Sequence, residues 1–93
     1  DFVMASIEKA GFTTCDDLVH GYGGGYLPPV LGSQSRPAGP LPAMTFEAGM
    51  TVVVQPNVIT RDQRAGVQLG ELMRITDAGA EPLHQVPREF YRL

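Results

Sequence analysis

Apolar side chains near the start of the chain and in its middle predict one helix and one well-buried strand. Residues 2–10 place apolar residues at roughly helical spacing, and Gly11 follows as a C-terminal stop, so we predict a short helix there. Residues 50–55 form a run that is rich in β-branched side chains. Such a run predicts a strand that is buried on both faces, and Pro56 predicts its end.

The last third of the chain has the pattern of a β-hairpin. Residues 67–76 alternate apolar and polar side chains well enough for a strand. Asp77-Ala78-Gly79 predicts a tight turn, and residues 81–84 are then the returning strand. One helix together with an antiparallel sheet gives the fold class α+β.

The chain between these elements is rich in glycine and proline. Residues 18–27 contain His20 and a cluster of glycines, which predicts a backbone that a neighbouring group approaches closely. Residues 28–43 contain repeated prolines and predict a long irregular surface loop.

Length, charge and cysteine content narrow the possible functions. A chain of 93 residues allows one small domain or a piece of a larger one. The net charge is −3 and no basic run occurs, which argues against nucleic acid as a partner. No apolar stretch approaches the roughly 20 residues that a transmembrane helix needs, so no membrane partner is expected. The single cysteine, Cys15, excludes an internal disulfide and favours a cytoplasmic location.

Several short segments follow one another in a recognisable order. They are His20-Gly21-Tyr22-Gly23, then Ala48-Gly49-Met50 with Gln55-Pro56, then Gly66-Val67-Gln68-Leu69, then Thr76-Asp77-Ala78-Gly79-Ala80-Glu81 and finally Pro87-Arg88-Glu89. This order resembles the C-terminal end of the pita-bread family, which includes Xaa-Pro aminopeptidase, prolidase, methionine aminopeptidase and creatinase. The resemblance covers nearly the whole chain and is weakest in the Pro-rich loop.

The resemblance implies a role for four positions. His20 matches a metal-ligating histidine in the family pattern His-x-x-Gly. Leu27 stands where the family has a second histidine, which contacts substrate. Gln55 stands where a metal-ligating glutamate precedes proline. Gly70 stands where the pattern Gly-Val-Arg-x-Glu-Asp supplies the last, bridging glutamate.

These substitutions predict a site without the family's pair of metal ions, which would be Mn, Co or Zn. Two divalent cations about 3.5–4 Å apart need several anionic oxygens. Gln55 offers only a neutral amide, and Gly70 offers no side chain. Glu71 comes next, but one step along a strand points a side chain to the opposite face. We therefore expect no metal and no other cofactor.

His20 is the candidate catalytic residue, as a general acid or base or as a group that stabilises an oxyanion. The alternative is a half-exposed histidine that has only a structural role in a Gly-rich strand. Tyr22, Tyr26 and Leu27 are the candidates for a substrate pocket beside it. Aromatic packing over the glycines is the alternative for the two tyrosines.

Three functions remain open. The first is a hydrolase of the Xaa-Pro peptidase type. The second is a metal-free, creatinase-like hydrolase, and the third is a non-catalytic binding module on the same scaffold. The expected partner is accordingly a small peptide or a small nitrogenous metabolite.

The resemblance also implies how this chain relates to a complete domain. Residues 1–93 would be the C-terminal part of a creatinase/aminopeptidase-type catalytic domain, whose preceding half holds two metal-binding aspartates. The cleft of that fold lies between both halves, so the isolated chain is expected to be inactive. Its exposed half-interface would be apolar, and we therefore expect a homo-oligomer.

Overall fold

The chain folds as one short helix and two antiparallel sheets, in a computed structural model that describes residues 2–33 and 36–92. This arrangement confirms the α+β class. The elements are α1 Phe2–Lys9, β1 Thr13–Cys15, β2 Val19–Tyr22, β3 Tyr26–Leu31, β4 Thr51–Val54, β5 Asn57–Ile59, β6 Gly66–Gln68, β7 Glu71–Thr76 and β8 Gly79–Pro82.

Helix α1 ends as its sequence predicts, at a glycine in the left-handed conformation. Gly11 has φ +90°, and its N–H donates to the Glu8 carbonyl at 3.0 Å. The Phe12 N–H donates to the Ile7 carbonyl at 3.2 Å. These two bonds form a Schellman motif, which satisfies carbonyls that the last helical turn leaves without partners.

Strand β4 lies at the centre of the larger sheet, whose order is β3-β2-β4-β7-β8. It confirms the strand predicted over 50–55 and ends before Pro56. The chain then enters β5 in the smaller sheet, whose order is β1-β5-β6. The predicted burial on both faces is wrong in part: Val52 is 4% exposed, but Val53 and Val54 are only half-buried.

The strand predicted over 67–76 is wrong as one element, because the chain changes sheets at Leu69-Gly70. β6 pairs with β5 in the smaller sheet, whereas β7 pairs with β4 in the larger one. The predicted hairpin is confirmed for β7 and β8, which pair from Met73 opposite Pro82 to Thr76 opposite Gly79. Its returning strand covers Gly79–Pro82 and not the predicted residues 81–84.

The predicted loop over 28–43 begins later than its prolines suggest. Strand β3 includes Pro28 and Pro29 and is an edge strand of the larger sheet. An edge strand tolerates proline because one side of it needs no backbone N–H donor. Residues 36–50 contain neither helix nor strand, and residues 34 and 35 lie outside the described part of the chain.

The described residues bury a small core. Met4, Leu18 and Val52 are its buried apolar side chains, and Thr14 is buried with its hydroxyl 3.4 Å from the Met4 sulfur. Fully burying an apolar side chain of this size stabilises the folded state by roughly 1.5–3 kcal/mol. Because so few residues are buried, the positions of the candidate site residues are fixed mainly by the pairing of β2 with β4 and of β4 with β7.

Candidate functional site

The strand register brings three of the four positions singled out in the sequence, His20, Gln55 and Gly70, to one face of the larger sheet. His20 pairs with Val53, and Val53 pairs with Leu72. Just beyond the end of β4, the Gln55 N–H donates to the Leu18 carbonyl at 2.9 Å. This bond continues the β2–β4 pairing by one residue. Because alternate residues of a strand share a face, we define the site face as Leu18, His20, Val53, Gln55, Gly70 and Leu72.

Positions 55 and 70 are in direct contact on the site face. A Cβ added at Gly70 would lie 3.5 Å from the Cβ of Gln55 and 3.7 Å from its Oε1. His20 is a diagonal neighbour of Gln55 across the β2–β4 pair, a relation that spans about 7–8 Å in antiparallel sheets. Three positions that are distant in sequence therefore lie close together.

His20 is buried and holds a defined hydrogen-bond geometry. Only 4% of it is exposed, so the alternative of a half-exposed histidine is wrong. Its Nδ1 lies 2.8 Å from the Gly21 carbonyl oxygen. A carbonyl only accepts hydrogen bonds, so Nδ1 bears the proton. In the neutral ring Nε2 then has the free lone pair, which is the atom able to accept a proton.

Tyr26 lies flat against the His20 ring. The two ring centroids are 4.0 Å apart and the planes differ by 28°. Tyr26 pairs with Tyr22 in the β2–β3 ladder and so lies diagonally across from His20. It remains 56% exposed while it covers a side chain that is nearly inaccessible to solvent.

Asp17 is the site residue that the sequence reasoning missed. Partial burial and the nearby carboxylates of Asp17 and Asp16 raise the pKa of Tyr26 above its ordinary value. The Tyr26 hydroxyl therefore holds its proton more strongly than an ordinary tyrosine does. The Oδ2 atom of Asp17 is buried and has no hydrogen-bond partner among the described residues. The only signal in the sequence was an acidic pair just before a predicted strand.

Tyr22 and Leu27 do not join Tyr26 in one pocket. They line a separate cavity of about 290 Å³ together with Met44, Phe46 and Met50. The Tyr22 carbonyl accepts a hydrogen bond from the Thr51 hydroxyl. The structure thus separates the predicted substrate-pocket residues into a tyrosine on His20 and a pair in a neighbouring cavity.

The donor groups on the site face do not fit a pair of divalent cations. His20 supplies one imidazole, Gln55 supplies a neutral amide, and Gly70 supplies nothing. A dinuclear site needs carboxylates to balance the charge of the two ions. Across residues 2–33 and 36–92, no three His, Cys, Asp or Glu side chains form a group that could hold a metal ion.

Glu71 lies on the opposite face of the sheet from Gly70. Its Oε2 accepts a hydrogen bond from Arg88 Nε at 2.8 Å, and its Oε1 lies 4.0 Å from His84 Nδ1. The side chain is only 15% exposed and borders an apolar groove of about 480 Å³. We call this surface the groove face, and its sheet residues are Val19, Val52, Val54, Glu71, Met73, Ile75 and Ala80.

Two further observations bear on how the chain can be classified. Among the described residues, no helix has the length and the apolar character needed to cross a membrane. No protein-family model, curated protein or solved structure matches this chain.

Proposed function

We propose that this chain is the C-terminal part of a creatinase/aminopeptidase-type hydrolase domain that works at His20 without the usual pair of metal ions. Its substrate would be a small peptide or a small nitrogenous metabolite with an amide or amidine bond. The observation on which the proposal depends is the convergence of positions 20, 55 and 70 on the site face.

The convergence supports the proposal because it joins three independent segments. The family resemblance rests on short motifs that are far apart in the chain. In the fold, His20 and Gln55 belong to the paired strands β2 and β4, and Gly70 directly precedes β7, which pairs with β4. A chance similarity of motifs gives no reason for these particular positions to meet.

The chemistry available on the site face is proton transfer and hydrogen bonding. The Nε2 lone pair of His20 can accept a proton from an attacking water, as general bases in hydrolases do. The Gln55 amide has both donor and acceptor atoms and can orient a substrate carbonyl or amide. Gly70 leaves space beside Gln55 where a substrate group can lie.

A non-catalytic binding module on the same scaffold is the second candidate. The observation in its favour is that Tyr26 covers His20, which is only 4% exposed. A histidine held in this way contributes shape and one hydrogen-bond acceptor to a ligand site without transferring a proton. The two candidates differ in whether substrate is turned over.

The test is an activity assay on the product of the complete reading frame. Xaa-Pro dipeptides and a panel of small amides and amidines are assayed with and without EDTA. We expect EDTA-resistant turnover of at least one compound, and we expect His20→Ala to reduce it by about 100-fold or more, the usual effect of losing a general base.

The matched control is His84→Ala, because His84 is the only other histidine of the chain and lies half-exposed in the segment after β8. It should leave turnover unchanged. Turnover that EDTA abolishes would contradict the metal-free site. Binding of a panel compound without any turnover would instead favour the binding module.

A further inference from the structure

We infer that the Tyr26 side chain is a movable cover over the His20 imidazole and controls access to it. In this arrangement a solute reaches His20 only when the Tyr26 side chain rotates away. The part that this cover would play in turnover rests on the proposed function. The cover itself can be measured without any substrate.

The first support is the contrast in exposure between the two stacked rings. His20 is 4% exposed and Tyr26 is 56% exposed, although their centroids are 4.0 Å apart. Tyr26 therefore covers one face of the imidazole from the solvent side. More than half of Tyr26 is itself in contact with solvent, so its side chain is not enclosed in the core.

The second support is the backbone that places Tyr26 over His20. The β2–β3 pairing has a bulge between His20 and Gly21, which shifts the register of β3. Gly21 is required there, because a Cβ would lie 2.4 Å from the Pro28 carbonyl oxygen. The close approach of the two strands fixes the start of β3, and the Tyr26 ring consequently lies diagonally across from His20.

Diethylpyrocarbonate provides the test, because it modifies accessible neutral imidazoles. The chain has two histidines, and the half-exposed His84 is an internal reference in every variant. The reaction is run at a pH where both rings are neutral. We expect His20 to react about tenfold or more slowly than His84, because its rate scales with the fraction of molecules in which Tyr26 has rotated away. Mass spectrometry of peptides resolves the two sites.

Variants then separate the ring from its hydroxyl. Tyr26→Ala should raise the His20 rate by about tenfold or more, while Tyr26→Phe should leave it within about twofold of the parent because the ring that stacks on the imidazole remains. Tyr22→Ala is the control: Tyr22 pairs with Tyr26 but does not stack on His20, so the rate should not change.

Two results would overturn the inference: a parent His20 that reacts as fast as His84, or a folded Tyr26→Ala protein whose His20 stays as slow as in the parent. If Tyr26→Ala does not fold, the comparison of His20 with His84 in the parent decides, because it needs no variant. Absence of catalytic turnover would leave all of these outcomes unaffected.

Discussion

The two faces of the larger sheet are built from alternate residues of the same strands and differ in chemistry. The site face presents His20, Gln55 and the open position at Gly70. The groove face presents Val52, Met73 and other apolar side chains around a groove of about 480 Å³. One face therefore presents polar groups and an open position, and the other presents a mainly apolar surface.

The comparison shows why the carboxylate of Glu71 cannot serve on the site face. Glu71 follows Gly70 directly, but the β4–β7 register places it opposite Val54 on the groove face. Its carboxylate is occupied there by Arg88. A carboxylate one residue away is thus on the wrong side of the sheet for the site at His20.

The largest expected effect tests whether the groove face holds the fold together. Val52→Asp places a carboxylate at a position that is 4% exposed. Arg88 is the only cationic residue that lines the groove, and it already binds Glu71. We expect a loss of about 3 kcal/mol or more in the free energy of unfolding, measured by urea denaturation. The control is Val67→Asp, at a position that is 54% exposed, which should change the free energy of unfolding little. Equal losses in the two variants would show that burial on the groove face does not hold the fold together.

A middle-sized effect tests whether the site face retains the geometry of a metal site. Gln55→Glu combined with Gly70→Glu adds two carboxylates beside each other, and the space exists because a Cβ at Gly70 makes only ordinary contacts. With His20, these groups form a donor set that suits Mn²⁺ or Co²⁺. We expect about tenfold tighter binding of Co²⁺ than in the parent, which corresponds to about 1.4 kcal/mol, measured by calorimetry.

The control for this variant separates geometry from charge. Gln68→Glu combined with Gln85→Glu adds the same two charges at exposed positions away from the site face. It should bind Co²⁺ no better than the parent does. Equal gains in both double variants would show that net charge alone attracts the ion and that the site face has no special geometry.

The smallest effect concerns the ion pair on the groove face. Arg88→Ala removes the partner of Glu71, and because Arg88 is largely exposed we expect a loss of at most about 1 kcal/mol. The specific consequence of Arg88→Ala should be faster proteolysis within residues 83–92, because the Arg88–Glu71 pair links this segment to β7. Arg74→Ala breaks the ion pair with Glu81, in which both side chains are about half exposed, and should leave this cleavage rate unchanged.

Local sequence patterns predicted those elements whose causes are local. The stop at Gly11 needs only a residue that tolerates positive φ, and the turn between β7 and β8 needs only Gly79, which has φ +131°. The run of valines in β4 has high strand propensity in any context. Each of these features depends on residues within a few positions of one another.

Features that depend on pairing between distant strands could not be predicted in this way. The pattern of residues 67–76 continues across Leu69-Gly70, where the backbone moves from one sheet to the other. The prolines of β3 suggested a loop, because only the completed sheet shows that β3 lies at its edge. The contact of Tyr26 with His20 depends on a bulge that no local pattern indicates.

The sequence by itself determined which chemical groups are available at positions 20, 55 and 70: an imidazole, an amide and no side chain. It also determined the α+β class, since periodicity and turn residues act over short distances. The tertiary structure alone decided that these positions share one face, that Glu71 lies on the other, and that Tyr26 covers His20. Strand register and a single bulge set all three, and both arise from contacts between segments far apart in the chain.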